Sequence, residues 1–393
     1  MGTNYRKSGT GIRVALISVA FLTLMASQAA SSILGPLKQE FPQSATSTIQ
    51  LIYTIVPLIT SFSGFLCGLT VKRKKQALLT GIALFTIGGV LMGTANNIGT
   101  LLTVRILSGI GTGILVPTLN GLISDLFPSR ERGKLLGVTY ACSGLGSVAI
   151  SFMAGILAVK SWRLVSLLFL CGLLPFTMIW KSLPEITVKP QFRQYKVEVM
   201  QTEKWAWKRN LVLTVVNLCL GCIYASTYAN LSIWLSEMGV SADIIGFAVA
   251  MSPMGAALFV WTAPWFLERM AEKWISLCWI LTGAMLVLLS STRSPLLMGA
   301  AMLGMGMFGG SINTSLTCLA SRYVERKNSV VFMSMVSGAN TLGNFLCPYV
   351  FGGIGLLFAD SSVPFIFESA ACGAFIMAVV CLALLKGYEK GDI

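Results

Sequence analysis

The chain has 393 residues, of which 55% are hydrophobic and 11% are charged, and its formal net charge is +14. A soluble domain carries about 25% charged residues, so this composition excludes a water-soluble globular protein. The basic residues stand in short clusters between apolar runs, which excludes a nucleic-acid-binding face and is typical of a membrane protein with many spans. The sequence contains no histidine, so the commonest general base is missing.

An apolar window of about 19 residues predicts twelve transmembrane helices. Their expected spans are 13–34, 48–70, 77–95, 101–124, 135–158, 163–183, 211–235, 243–266, 274–291, 296–320, 329–356 and 364–385. The first run follows a basic start, as a signal peptide does, but it is too long and many similar runs follow it. We therefore expect an all-α membrane protein of twelve transmembrane helices in two six-helix bundles, related by a pseudo-twofold axis along the membrane normal.

The longest polar stretch, from Pro184 to Arg209, divides the predicted helices into two sets of six. It is too short for a hydrophobic core. We expect an amino-terminal bundle over 1–183, a cytoplasmic linker over 184–209 and a carboxy-terminal bundle over 210–393. A weak internal repeat aligns the segment that begins at Leu101 with the segment that begins at Leu296. Two halves of equal orientation predict a substrate site between them at mid-depth.

Lysine and arginine predict the orientation of the chain. Most of the 29 Lys and Arg residues fall in the alternate segments that include the amino terminus, whereas the other loops hold only Lys38, Lys160, Arg163 and Arg293. Positively charged loops stay on the cytoplasmic side of a membrane. We expect a multi-pass protein of the cytoplasmic (inner) cell membrane with both termini in the cytoplasm.

The ten cysteines are scattered, and most lie inside apolar runs. We interpret them as small packing residues without a disulfide framework. Cys219 and Cys222 form a CxxC pair, but no polar ligand stands near them. The sequence therefore predicts no metal site and no cofactor.

One arginine, Arg105, lies inside a membrane-length apolar run. An arginine at that depth costs a few kcal/mol of insertion free energy, so it marks a functional site by default. Gly109, Gly111 and Gly113 follow at a spacing that lets neighbouring helices approach closely. Ala300 stands at the matching position of the second half. These features favour a substrate-anion or coupling role for Arg105, with a structural hydrogen bond to backbone carbonyls as the alternative.

Several motifs resemble those of the major facilitator superfamily, and the resemblance covers nearly the whole chain. Gly68 and the basic cluster 72–75 occupy the place of the family's signature after the second helix, with Lys72 where the family has an acid. Arg105 and the glycines after it are similar to the family's R-x-x-x-G-x-G, and 125–133 resembles its D-x-x-P-x-x-x-R-g loop. The residues carried over as a conformational motif are Gly68, Arg73, Lys74, Gly109, Gly111, Gly113, Asp125, Arg132, Gly144 and Gly146.

The resemblance implies a secondary transporter that moves a small organic solute by alternating access, and the bacterial drug-efflux and small-metabolite permeases are the most similar group. Efflux of an amphipathic drug or metabolite is the first expectation. The alternative is an organic-anion uptake permease or exchanger that binds the anion at Arg105. Ile150-Ser151 stands where drug antiporters have Gly-Pro, which favours the alternative.

Polar side chains inside the predicted spans are the candidates for lining a substrate cavity. Those we select are Arg105, Gln28, Tyr53, Asn120, Tyr224, Tyr228, Asn313, Asn340 and Asn344, and Ser31, Asn217 and Asn230 belong to the same polar set. Hydrogen bonds between helices, worth about 0.6 kcal/mol per pair, are the alternative role for each of them. Asn340 and Asn344 share one helix face, as do Tyr224 and Tyr228.

Proton coupling needs a titratable acid in the cavity. Glu368 alone lies about one turn inside its apolar run, so Glu368 and Arg105 are the candidates for coupling, and interfacial solvation is the alternative for Glu368. No paired carboxylates lie within the spans, which argues against an enzyme. We expect a monomer in the lipid bilayer with a small-molecule substrate, no nucleic-acid partner, and protons as an open alternative for coupling.

Overall fold

The structure is a computed structural model that describes residues 5–71, 73–185, 204–259, 263–270, 272–322 and 329–384. The elements in these ranges are helices, and twelve stretches are long and apolar enough to cross a membrane. The all-α class and the number of spans confirm the sequence prediction. The chain divides into two compact units, one of Met1–Phe192 with Ser241–Gly246 and the other of Arg193–Val240 with Phe247–Ile393.

In the described residues the amino-terminal part of the chain forms eight α-helices. They are α1 (Tyr5–Leu22), α2 (Met25–Ser31), α3 (Leu34–Glu40), α4 (Thr46–Thr70), α5 (Lys74–Leu91), α6 (Ile98–Leu126), α7 (Ser129–Ala158) and α8 (Leu173–Ser182). A 3-10 turn over Met92–Thr94 follows α5, and a longer 3-10 helix over Trp162–Gly172 precedes α8. α6 is the central helix of this unit, because it packs along both α4 and α5.

The first apolar run is not one helix, as the sequence predicts for 13–34, but three. At the first break the Thr23 hydroxyl donates to the carbonyl of Ala20 at 2.8 Å, which offers the backbone a partner outside the helical ladder. At the second break Pro36 has no N–H to donate to the carbonyl of Ser32. The sixth predicted helix, 163–183, also differs, since its first half is a 3-10 helix. Pro175 cannot donate to the carbonyl of Cys171 there.

Two glycines of α6 allow its neighbours to approach closely, as their spacing predicts. A Cβ on Gly111 would lie 2.7 Å from the carbonyl oxygen of Gly81 in α5. A Cβ on Gly113 would lie 2.5 Å from the carbonyl oxygen of Thr60 in α4. Both distances are shorter than van der Waals contact, so these helix contacts require glycine.

Seven α-helices lie in the described ranges of the carboxy-terminal part. They are α9 (Lys204–Glu237), α10 (Ala242–Phe259), α11 (Ala263–Met270), α12 (Glu272–Ser291), α13 (Pro295–Arg322), α14 (Ser329–Phe358) and α15 (Val363–Leu384). α9 packs along α14, and α12 packs along both α13 and α15. The predicted span 243–266 corresponds to α10 and the start of the separate α11, and 260–262 lie outside the described residues. Most of the predicted linker, 186–203, also lies outside them.

Large apolar side chains are exposed along the helices of both units. At the end of α14, Leu356 and Leu357 are each 83% exposed and Phe358 is 70% exposed. Contiguous exposed apolar surface is costly in water and ordinary in lipid. Together with the twelve apolar spans, these side chains identify a multi-pass membrane protein. The ten cysteines are free thiols.

Candidate functional site

Arg105 is fully buried in the first unit and is bonded to two helices. Its Nη2 donates to the carbonyl oxygen of Ala26 in α2 at 2.5 Å, and its Nε donates to that of Ile52 in α4 at 3.2 Å. Its Nη1 is buried and has no hydrogen-bond partner within the described part of the chain. Arg105 therefore joins α6 to the interrupted first helix and to α4, and keeps one donor group unused.

The other candidates of the first unit are placed differently. Gln28 is half-buried in α2, and its side-chain Oε1 is a second buried polar atom without a partner among the described residues. Tyr53 is buried in α4 next to Ile52, which accepts from Arg105. Asn120 is fifteen residues beyond Arg105 in α6, a rise of about 22 Å. Asn120 therefore cannot contribute to a site at Arg105.

Three asparagines of the second unit form a cluster. The Nδ2 of Asn217 in α9 donates to Oδ1 of Asn313 in α13 at 3.0 Å and to the carbonyl oxygen of Val336 in α14 at 2.8 Å. The Nδ2 of Asn340 in α14 lies 3.3 Å from the carbonyl oxygen of Asn217 and 3.4 Å from its Oδ1. We call Asn217, Asn313 and Asn340 the asparagine triad. Asn217 is fully buried, Asn340 is half-buried and Asn313 is exposed.

The two tyrosines lie further along α9. Their ring centroids are 6.5 Å apart, so the two tyrosines lie on one face of α9, as their spacing of four residues predicts. The hydroxyl and ring of Tyr224 lie against Gly309 of α13, where any Cβ would overlap them. Gly309 precedes Asn313 by one helical turn, so the tyrosine and the asparagine triad follow the same α9–α13 seam.

Asn344 and Glu368 do not join this cluster. Asn344 is half-buried in α14, and its side chain makes no hydrogen bond within the described ranges. Glu368 is exposed on α15 and makes no ion pair there. The sequence rule that residues four apart share a face holds for Asn340 and Asn344, but it does not place both in one hydrogen-bond network.

Asn217 is the central residue of the triad, yet it is not among the nine residues selected from the sequence. Its signal is the same as that of the others, a polar amide in an apolar run. Only the crossing of α9, α13 and α14 distinguishes it, because that crossing places its side chain between two other amides.

Two residues of the predicted conformational motif form an ion pair at the predicted cytoplasmic end of the first unit. Lys74 Nζ at the start of α5 lies 2.7 Å from Asp125 Oδ2 near the end of α6. Arg73 Nη1 donates to Gln76 Oε1 at 3.5 Å, within the same helical turn. Gly144 and Gly146 lie in α7, with Gly146 against the carbonyl of Phe21. Gly68 lies in α4 and Arg132 in α7, but the surroundings of Gly68 and the side chain of Arg132 lie outside the described part of the structure.

A second polar cluster, Glu40 with Trp162 and Arg163, lies at the predicted outer end of the same unit. The Glu40 carboxylate accepts from Trp162 Nε1 and, at 2.6 Å, from Arg163 Nη1. Partial burial raises the pKa of the Glu40 carboxyl, but the hydrogen bonds and the charge of Arg163 outweigh it and hold this pKa below its ordinary value. The cluster ties the end of α3 to the 3-10 helix.

A separate cavity of about 750 Å³ lies in the second unit. Its lining includes Trp234 and Met238 from α9, Ser290 and Ser291 from α12, and the Arg293 side chain. None of the residues selected from the sequence lines it, so this cavity is distinct from the asparagine triad.

The sequence profile of the Major Facilitator Superfamily matches residues 16–242 and 213–392 of this chain. The chain belongs to this superfamily. Its members are membrane transporters and not enzymes. Among solved structures, a D-xylose–proton symporter matches with a TM-score of 0.77 and 15% identity over 98% of this chain and 99% of that chain. A bacterial homologue of the lysosomal transporter Spinster matches with a TM-score of 0.72 and 15% identity over 99% and 97%. At these identities the two structures share the fold.

Curated relatives of this chain have names that describe different transported compounds. A riboflavin transporter of Clostridioides difficile (strain 630) is 35% identical over 113 residues, which is 28% of this chain and 25% of that protein. A niacin/nicotinamide transporter of Bacillus subtilis (strain 168) is 23% identical over 83% of this chain and 82% of that protein. Multidrug resistance protein 3 of the same organism is 29% identical over 53% and 36%. The chain spans 16% to 41% of the length of the first four curated relatives that it matches.

Proposed function

We propose that this protein is a secondary active transporter that exports an uncharged, amphipathic organic solute, a drug or a metabolite, by alternating access. The observation that carries the proposal is the kind of polar group inside the spans. The second unit offers amides and tyrosines, whereas the guanidinium of Arg105 is buried and bonded to two backbone carbonyls. A wall of apolar side chains with a few neutral hydrogen-bonding groups binds uncharged amphipathic ligands.

Export is the proposed direction because one relative is named for multidrug resistance and another, from Phaeosphaeria nodorum, as an efflux transporter. We propose the cytoplasmic membrane as its location, with both termini in the cytoplasm, because the basic loops alternate along the chain. We further propose that it acts as a monomer.

Uptake or exchange of an organic anion is the second candidate. The buried Nη1 of Arg105, which has no partner among the described residues, favours it. A carboxylate that reached Nη1 would form a charge-assisted hydrogen bond, the stronger kind. This candidate requires an opening beside Arg105, because the side chain is now fully buried.

The two candidates are separated by the thermal stabilisation of the purified full chain by ligands. The panel contains uncharged aromatic amides, organic anions and lipophilic cations, each tested on wild type and on Arg105→Met. Our proposal expects stabilisation by the uncharged aromatic amides that is retained in Arg105→Met, whereas stabilisation by lipophilic cations alone contradicts an uncharged substrate. Stabilisation by anions alone, lost in Arg105→Met, contradicts it and identifies an organic-anion carrier. Ile106→Met, on the neighbouring exposed position, is the matched control.

The direction is measured in membrane vesicles of known orientation to which the ligand that stabilises best is added from outside. Export predicts accumulation in inverted vesicles, driven by an imposed proton gradient or by counter-exchange. Accumulation in right-side-out vesicles only contradicts export. A transport rate that is insensitive to the proton gradient excludes proton coupling.

A further inference from the structure

In the asparagine triad, the donor and the acceptor of each hydrogen bond can be assigned from the structure. This assignment leaves two polar groups of the triad without a hydrogen bond. The carbonyl oxygen of Val336 can only accept, so the side-chain group of Asn217 that lies 2.8 Å from it is the NH₂. The Oδ1 of Asn217 therefore points to the other side, where it accepts from Asn340. The backbone carbonyl of Asn217 also accepts from Asn340, which fixes the orientation of the Asn340 amide in the same way.

The donor and acceptor groups at the ends of the triad follow from this assignment. Asn313 uses its Oδ1 to accept from Asn217, so its NH₂ group is unused. Asn340 uses its NH₂ group, so its Oδ1 is unused. Neither group has another hydrogen-bond partner within the described residues. The triad thus presents a donor on α13 and an acceptor on α14, on either side of the buried Asn217 amide.

These groups are also accessible. Asn313 is exposed and Asn340 is half-buried, and each lies within an apolar span of its helix. An unused amide group in a membrane span costs free energy unless water or a ligand satisfies it. A solute that carries both a hydrogen-bond acceptor and a donor satisfies both groups, whereas a solute with only one of them leaves the other unpaired.

We propose that the asparagine triad reads an amide, lactam or imide group of the transported solute, with the Asn313 NH₂ donating to its carbonyl oxygen and the Asn340 Oδ1 accepting from its N–H. This inference rests on the proposed function and names the substrate class within it. Tyr224 and Tyr228, on the same α9 seam, supply the aromatic surface against which the apolar part of such a solute lies. Asn217 is a positioning residue, because its NH₂ is engaged by Asn313 and by the carbonyl of Val336, and its Oδ1 is engaged by Asn340.

The test compares three probes of nearly equal shape on the purified full chain, by thermal stabilisation and calorimetric titration. 1-Naphthamide carries a donor and an acceptor, 1-acetonaphthone carries an acceptor only, and 1-naphthoate carries a negative charge. The triad predicts that wild type binds the amide about tenfold more tightly than the ketone. Equal affinity for amide and ketone overturns the inference and leaves the proposed transport of uncharged solutes standing. Preference for naphthoate, or no binding of any probe, overturns both.

A substitution then locates the contact with the carbonyl oxygen. Asn313→Asp keeps an oxygen to accept from Asn217 and removes the unused donor. Because the amide and the ketone both carry a carbonyl oxygen, the affinity for both probes should fall about tenfold, whereas the preference for the amide, which depends on the Asn340 Oδ1, should remain. Asn96→Asp introduces the same charge at an exposed loop position outside the triad and should leave both affinities unchanged. Unchanged affinity for both probes in Asn313→Asp assigns the carbonyl contact elsewhere and contradicts the proposal. Because the amide–ketone comparison in wild type needs no variant, the inference stays testable if Asn313→Asp fails to fold.

Discussion

Arg105 Nη2 lies 2.5 Å from the carbonyl oxygen of Ala26, on the short helix that follows the first break of the chain. No acidic side chain forms an ion pair with this arginine in the described part of the structure. A buried charge that is satisfied only by backbone carbonyls costs desolvation free energy. We propose that Arg105 serves the transport cycle rather than stability, as the shared attachment of α2 and α4.

The first prediction concerns Arg105→Met, which keeps most of the side-chain volume and removes the charge. Removing an unpaired buried charge relieves its desolvation cost, whereas losing the two hydrogen bonds to backbone carbonyls lowers stability. These two effects oppose each other, so the midpoint of thermal unfolding should change little. Transport should fall at least tenfold, while binding of an uncharged solute persists. Normal transport with a midpoint several degrees lower would show that Arg105 is a structural clamp. Ile106→Met is the control for the helix itself.

Replacing two glycines that differ in their surroundings with alanine should change the stability of the protein in opposite directions. A Cβ on Gly111 would overlap the backbone of α5, so Gly111→Ala should destabilise the protein by about 1–3 kcal/mol. Gly353 of α14 has no atom within 4 Å of an added Cβ. There alanine gains up to about 1 kcal/mol of helix propensity. The measurement is the thermal unfolding midpoint of both variants, and equal shifts would contradict the packing of α5 on α6.

The ion pair between Lys74 and Asp125 is open to a double-mutant cycle. The Lys74 side chain is 15% exposed and that of Asp125 is 37% exposed, so solvent screens the pair in part. We expect a coupling free energy of about 0.2–1 kcal/mol from Lys74→Gln, Asp125→Asn and the double variant, decreasing with salt. If the ion pair takes part in the conformational cycle, these variants should slow transport by more than their small loss of stability explains. Additive effects on both quantities would mean that the two residues do not interact.

The sequence predicts the class of the fold well because apolar length is a sufficient signal for a membrane helix. The twelve spans and the close approach at Gly111 and Gly113 follow from local pattern alone. The breaks at Thr23 and before Pro36 are local events too, but the apolar window averages over them. Hydropathy therefore locates a span better than it describes the backbone within it.

The candidate site is predicted less completely, because hydrogen-bond partners depend on how helices cross. The sequence marks Asn313 and Asn340 as polar residues in apolar runs, but so are Asn120 and Asn344, which the structure leaves apart. It also cannot show that Arg105 bonds to backbone carbonyls, since every helix has carbonyls. Packing between α9, α13 and α14 decides which amides meet.

Proton coupling is tested at Glu368. This carboxylate is exposed on α15 and makes no ion pair among the described residues. Glu368→Gln should therefore change the transport rate less than twofold and leave its pH dependence intact. Loss of the pH dependence in this variant would assign the coupling proton to Glu368 and contradict the prediction.

The Glu40 cluster predicts a specific loss of stability in acid. The pKa of the Glu40 carboxyl lies below its ordinary value of 4.5, because the hydrogen bonds from Trp162 and Arg163 and the charge of Arg163 outweigh the effect of burial. A carboxyl whose pKa is lower in the folded state stabilises the fold above the unfolded value and loses this contribution as the pH falls through the folded value.

The thermal unfolding midpoint of wild type should therefore exceed that of Glu40→Gln at pH 6, and the difference should shrink as the pH falls below about 4.5. Glutamine still accepts a hydrogen bond from Trp162, so the variant isolates the charge. Glu237→Gln, at an exposed glutamate without an ion pair in the described residues, is the matched control and should show no such trend. A constant difference between pH 6 and pH 4 would mean that the Arg163 charge contributes nothing to holding α3 against the 3-10 helix.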